Sequence, residues 1–200
     1  MKRFNVLICG VGGQGIMTLG MLLKQAAMPA GMQIWGGEMR GLAQMEGAVT
    51  SSVRYLYGDD GEGVDERRTI HSGAIPYGGA DLVIAVEPVE AMRSAHLFSG
   101  RSIVVLNTYT IKPKSVDYPE FGEILENVKR ITDKVYVVDA NDISMERYGT
   151  YRMANYILLG VALAHTDFPI GVETIEDLLP GPRELEAFRL GMTWEGEGKK

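Results

Sequence analysis

Apolar positions in this chain fall into two rhythms, short unbroken runs and helical repeats. Residues 4–9 are a run of β-formers without a charge, which predicts a strand buried on both faces, as in a parallel sheet. Behind it, Ile16, Leu19, Leu22, Leu23 and Ala26 recur at helical spacing and predict a helix ending near Pro29 and Gly31. Residues 32–35 read as a short second strand. Residues 38–47 carry charge and glycine with no clean period, which predicts a segment facing solvent or a ligand. In residues 48–57, Val49, Ser51, Val53, Tyr55 and Tyr57 alternate with Thr50, Ser52 and Arg54, the pattern of an antiparallel-looking strand with one more polar side. Residues 58–66 are acidic and glycine-rich and read as an exposed hairpin or loop.

Residues 82–86, 102–106 and 134–138 are further apolar runs and predict buried strands. Glu87-Pro88 opens a helix reaching about Phe98, since proline suits the first helical turn. Tyr118-Pro119 opens another, with Phe121, Ile124, Leu125, Val128 and Ile131 on one face. An apolar helix is predicted over 151–165, shorter helices over 172–179 and 183–190, and a frayed tail over 195–200. Strands thus alternate with helices. The predicted fold is α/β, a doubly wound, mostly parallel sheet with helices on both faces, as a single domain over 1–194. In such sheets ligands collect beyond the carboxyl ends of the strands. The polar residues at those ends are Glu87, Asn107, Thr108, Asp139 and Asn141, each of which also reads as a cap for the helix that follows.

Gly10, Gly12 and Gly15 spell G-x-G-x-x-G between the first strand and first helix, with Gly13 as an extra glycine. Glycine allows a tight turn and lets an anion approach amides at a helix N-terminus. The alternative is a strand-to-helix turn that needs glycine for packing alone. Ile16-Met17 stand where a P-loop would need Lys-Ser or Lys-Thr.

Composition removes several functions. The 200 residues suffice for one good core, and the net charge of −6, without a basic run, argues against a nucleic-acid surface. Cys9 is the only cysteine, so no intrachain disulfide can form and four thiolates for an iron–sulfur cluster are lacking. It reads as a small buried strand residue. The apolar run after Lys2-Arg3 breaks at Gly10, and no segment suits a membrane span, which predicts a cytoplasmic protein. His71, His96 and His165 have no metal-ligand spacing and no nucleophile partner; His165 closes an apolar helix, where a cation would favour the dipole. Gly58-Asp59-Asp60-Gly61 has the wrong spacing for a thiamine-diphosphate metal motif. With no self-contained catalytic constellation, the chain reads as a binding or assembly subunit. Met17, Met21, Met28, Met32, Met39 and Met45 crowd its first quarter and suit either core filling or an interface.

Three segments together resemble one family: residues 10–16 (GVGGQGI), 37–44 (GEMRGLAQ) and 80–88 (ADLVIAVEP). Asn107-Thr108, Val138-Asp139-Ala140 and residues 155–163 extend the similarity over nearly the whole chain. It resembles the gamma-type domain of the 2-oxoacid:ferredoxin oxidoreductases, most of all the form in which that domain is a separate chain of indolepyruvate-type enzymes. The family expects a basic residue where Met45 stands. The resemblance implies oxidative decarboxylation of a 2-oxoacid to an acyl-coenzyme A, with electrons passing to ferredoxin. Thiamine diphosphate and iron–sulfur clusters would lie on a partner alpha chain, and this chain would hold no cofactor alone. It would complete the active-site entrance and could contact coenzyme A. That role is carried to Gly10, Gly12, Gly13, Gln14 and Gly15 as cofactor-binding residues, and to Glu38, Arg40, Gly41 and Gln44 as substrate or interface residues, beside Glu87, Asn107 and Thr108 from the strand ends. Arg40 offers a forked donor set for phosphate or carboxylate, or an ion pair with Glu38 or Glu46 that fixes its loop. Two other readings stay open. One is a stand-alone nicotinamide- or flavin-dependent oxidoreductase with Glu38 on a ribose hydroxyl. The other is a non-catalytic assembly module.

Overall fold

The charge-free run near the N-terminus becomes β1 (Lys2–Val11), and its last seven residues are all buried. The computed structural model describes residues 1–41, 47–58, 72–112 and 117–195. Gln44, Met45 and Glu46, most of the acidic stretch, His71 and the last five residues of the expected tail lie outside these described residues.

Six strands form one sheet in the order β2-β3-β1-β4-β5-β6, with β2 at Gln33–Arg40, β3 at Ala48–Tyr57, β4 at Leu82–Ala85, β5 at Ile103–Asn107 and β6 at Val135–Val138. β1, β4, β5 and β6 run parallel. β3 is antiparallel to both β1 and β2, so the antiparallel excursion is inserted beside β1 with β2 outside it. Alternation along β1 separates two cores. Val6 and Ile8 join the core under α1 (Ile16–Ala26), α5 (Ala154–Ala164) and α7 (Pro182–Met192), while Leu7 and Cys9 join the core under α2 (Pro88–Arg93) and α3 (Phe121–Lys129). The layers are those of a doubly wound domain with helices on both faces.

Several elements differ from their sequence patterns. β2 runs to Arg40, so Glu38 and Arg40 sit on an edge strand rather than in a loop. Its glycines and exposed charges hide the strand rhythm, and pairing with β3 supplies the order. The polar side of β3 is covered: Arg54 is buried, donating to Asn5 Oδ1 at 3.0 Å, Ser72 O at 2.8 Å and Ala74 O at 2.9 Å. A helix unseen in the sequence, α4 (Ala140–Tyr148), buries only Ala140, Asn141 and Ser144 and has no apolar stripe to announce it. The helix opened by Pro88 stops at Arg93, followed by a 3-10 turn at Ala95–Leu97. The predicted 172–179 helix shortens to α6 (Val172–Glu176). Among the described residues no helix is long and apolar enough to cross a membrane.

Candidate functional site: a glycine loop between two clefts

The strand pairing brings the two predicted ligand segments together. Gly10 pairs with Val49 and Val49 with Arg40, so the end of β2 lies beside the glycine loop, two strands away. Gly12 N–H donates to Gly47 O at 2.9 Å and Gly41 N–H to Ala48 O at 2.7 Å, which fastens both segments to the start of β3. An open cleft of about 790 Å³ is lined by Gly12, Gly13, Gly15, Met17, Arg40 and Gly41, among others. Arg40 is exposed, and its guanidinium rests on Met17 Sδ. Glu38 pairs with Lys24 of α1 at 3.3 Å, while Arg40 lines the cleft; a pairing of Arg40 with Glu46 lies outside the described residues.

Inside the loop, left-handed backbone occurs at Gly13 (φ 93°) and Gly15 (φ 76°). Those are the positions that require glycine for conformation. Gly12 serves through its N–H. Gly10 serves through space, since a Cβ there would lie 2.6 Å from Ile16 Cδ1 and 2.7 Å from Gln14 Oε1. Gln14 lines the second cleft, and its side-chain oxygen accepts the Val11 N–H at 2.9 Å and closes the loop on itself. Gly15 caps α1 without a side chain, and the first turn carries no acid. The amides of that turn therefore form a positive end suited to an anion.

On the other side of the loop, where β1 and β4 part, lies a second cleft of about 720 Å³. This is the switch point of the sheet, where doubly wound folds collect ligands. Tyr109, Tyr151, Arg152, Asn155 and Tyr156 line it with the glycine loop. None of these was singled out from the sequence as a site residue. They come from segments more than 90 residues beyond the loop, and of them Asn155 and Tyr156 fell within a segment of family similarity.

The strand-end residues are largely occupied with one another. Asn107 Nδ2 donates to Val86 O and Asn141 Oδ1, both at 2.9 Å, and Asn107 Oδ1 accepts Ala140 N–H at 3.2 Å. Thr108 Oγ1 donates to Asp139 Oδ1 at 2.6 Å. These bonds stitch the ends of β4, β5 and β6 together and leave Asn107 fully buried. Glu87 is also buried. It caps α2 by accepting Glu90 N–H at 3.0 Å and takes the Tyr118 hydroxyl as a second donor. Burial pushes its carboxyl above the usual range, against the pull of the Glu90, Ile111 and Val89 amides. Neighbouring Glu90, bonded to Arg93 at 2.9 Å, is raised by burial as well. His165 closes α5, as its sequence position suggests, but stacks on Tyr136 at 3.9 Å; burial pushes it toward the neutral form rather than a dipole-favoured cation. Cys9 is fully buried, and burial raises its thiol far above the range of a nucleophile. Among the described residues no group of histidine, cysteine and carboxylate is placed to hold a metal ion.

The geometry sits beside a match to known proteins. The family model described as pyruvate ferredoxin/flavodoxin oxidoreductase matches residues 5–192. The chain belongs to that family. It is 35% identical over 182 residues to the indolepyruvate oxidoreductase subunit IorB of Archaeoglobus fulgidus, covering 88% of this chain and 84% of that one. Its fold is shared with the pyruvate oxidoreductase subunit PORC of Thermotoga maritima, at TM-score 0.65 and 20% identity over 96% of this chain and 94% of that one. The same fold occupies 31% of a 2-oxoglutarate:ferredoxin oxidoreductase chain of Magnetococcus marinus, whose structure holds 2-oxoglutarate, coenzyme A and succinyl-CoA; the TM-score is 0.63, at 19% identity over 96% of this chain.

One competing reading loses its geometric basis. A dinucleotide fingerprint needs its acidic residue at the end of the strand next to β1. That place belongs to β3, and Glu38 lies one strand further out, roughly 10 Å from β1 by sheet spacing, and bound to Lys24.

Proposed function

We propose that this chain is the gamma-type subunit of a cytoplasmic 2-oxoacid:ferredoxin oxidoreductase acting on an aryl pyruvate of the indolepyruvate class. An alpha-type partner carries thiamine diphosphate and the iron–sulfur clusters, and the complex reduces ferredoxin while passing the acyl group to coenzyme A. The chain turns over nothing alone, and neither nucleic acid nor a membrane is among its partners. Its domain spans 1–194.

The observation that carries this reading is the nearly full-length match to a subunit with that substrate in its name. The cleft supports a division of labour within it. Gly13, Gly15, the first turn of α1 and Arg40 offer backbone amides and one guanidinium to an anion. Such groups bind and orient but carry no electrons. Coenzyme A, with its phosphates, suits them. Gly10, Gly12 and Gln14 hold the loop in shape, while Glu87, Asn107 and Thr108 brace the strand ends beside the second cleft. Exposed Met21, Met28 and Met39 are apolar surface for the partner to cover, though strand alternation places Met39 on the sheet face opposite Arg40.

The test is Arg40→Ala in the reconstituted complex. Loss of one charge-assisted contact, about 1.5–3 kcal/mol, is expected to raise the KM for coenzyme A by roughly ten- to more than a hundred-fold, with dye reduction by the 2-oxoacid alone retained. An unchanged KM would remove Arg40 from the coenzyme A site.

A further inference from the structure

Asn155 lies in the first turn of apolar helix α5, yet its side chain reaches the glycine loop, 141 residues earlier in the chain. Its Nδ2 donates to Gln14 O at 2.7 Å. The amide lies directly over the loop, since a Cβ on Gly15 would come within 2.9 Å of the same nitrogen. The bond therefore engages the peptide that joins Gln14 to Gly15. A trans peptide is planar, and its C=O and N–H point in opposite directions. Holding the Gln14 carbonyl toward α5 turns the Gly15 N–H away from α5; Gly15 also borders the first cleft, together with Arg40. Glycine at 15, with φ 76°, has no side chain to set this orientation and could flip its peptide freely. The Gln14 side chain does not set it either, being spent on the Val11 N–H at 2.9 Å.

We infer that Asn155 is a positioning residue for anion binding. It fixes the Gln14–Gly15 peptide so that the Gly15 amide and the first turn of α1 present N–H groups to the same cleft as Arg40. It acts through the loop backbone from the second cleft, whose wall it forms. The inference rests on the reading of the first cleft as the place where an anionic co-substrate is held.

The experiment uses the reconstituted complex with Asn155→Leu, which keeps the side chain's approximate bulk without a donor, and Asn155→Gln, which restores an amide. Coenzyme A is the probe. KM and kcat are measured, and hydrogen exchange is followed in the peptide spanning residues 10–20 with and without coenzyme A. Asn155→Leu is expected to raise KM about five- to ten-fold at nearly unchanged kcat, and to lose coenzyme A protection of that peptide. Asn155→Gln should recover part of both. A KM within two-fold of the parent, with protection intact, overturns the positioning role. So does a loss of kcat and thermal stability that Asn155→Gln does not restore, because that marks a purely structural residue. If Asn155→Leu does not assemble, the same criteria apply to Asn155→Ala, whose smaller side chain admits water to the carbonyl. Should Arg40→Ala raise KM while the Asn155 variants do not, only this inference fails. Should neither matter, the reading of the first cleft as an anion site fails with it.

Discussion

At the scale of single residues, the buried carboxylates are the most informative about solution behaviour. Glu90 is almost wholly buried, and desolvation raises its carboxyl above the ordinary value of 4.5, with Arg93 pulling the other way. A raised folded-state value means that the folded protein holds the proton more tightly than the unfolded chain. The corresponding stability is fully present below about 4.5 and is lost as pH rises through the folded value. Glu90→Gln removes that titration. Its thermal midpoint, followed from pH 4.5 upward, is expected to decline less steeply than the parent's; an identical slope would show that burial of Glu90 leaves no mark on stability. Residue identity alone made some roles legible. The glycines of the first loop, Cys9 as a buried strand residue and Glu87 as a cap all follow from local pattern. Gln14 did not, because nothing in the sequence says that its amide turns back onto Val11. Nor did Arg54, whose carbonyl partners at 72 and 74 come from a different segment.

At the scale of elements, the tightest joint is between two helices. α5 and α7 approach so closely at Gly160 and Gly191 that a Cβ on Gly160 would lie 2.1 Å from Phe188 O, and one on Gly191 2.1 Å from Ile157 O. Both obstacles are backbone, which a rotamer change cannot relieve. Gly160→Ala is expected to cost at least about 2 kcal/mol of stability by overpacking, read as a lower denaturant midpoint. A shift within about 0.5 kcal/mol would mean the helices separate easily. Because α5 carries Asn155, this joint also holds the glycine loop. Elements with a strong apolar rhythm, β1, β4, β5, α1 and α5, could be read from sequence to within a few residues. The extension of β2 and all of α4 could not. β2 is an edge strand ordered by its pairing with β3, and α4 buries small and polar residues rather than a stripe.

At the scale of the whole molecule, one loop separates two clefts, and both are open on this chain. The doubly wound layering was predictable from the alternation of runs and repeats. The sheet order was not, because inserting β3 between β1 and β2 leaves no trace in local pattern. That insertion matters for function. It removes Glu38 from the place of a ribose-binding acid and brings Arg40 beside the glycine loop. A chain so arranged brings the glycine loop and a guanidinium to one cleft, and its single thiol is buried. The central claim is that it serves catalysis only within a complex. The most direct measurement is indolepyruvate-dependent reduction of a low-potential dye in the presence of coenzyme A, with this chain alone, the partner chain alone and the two mixed. Turnover restricted to the mixture is the predicted result; turnover by this chain alone, or full turnover by the partner alone, would contradict it.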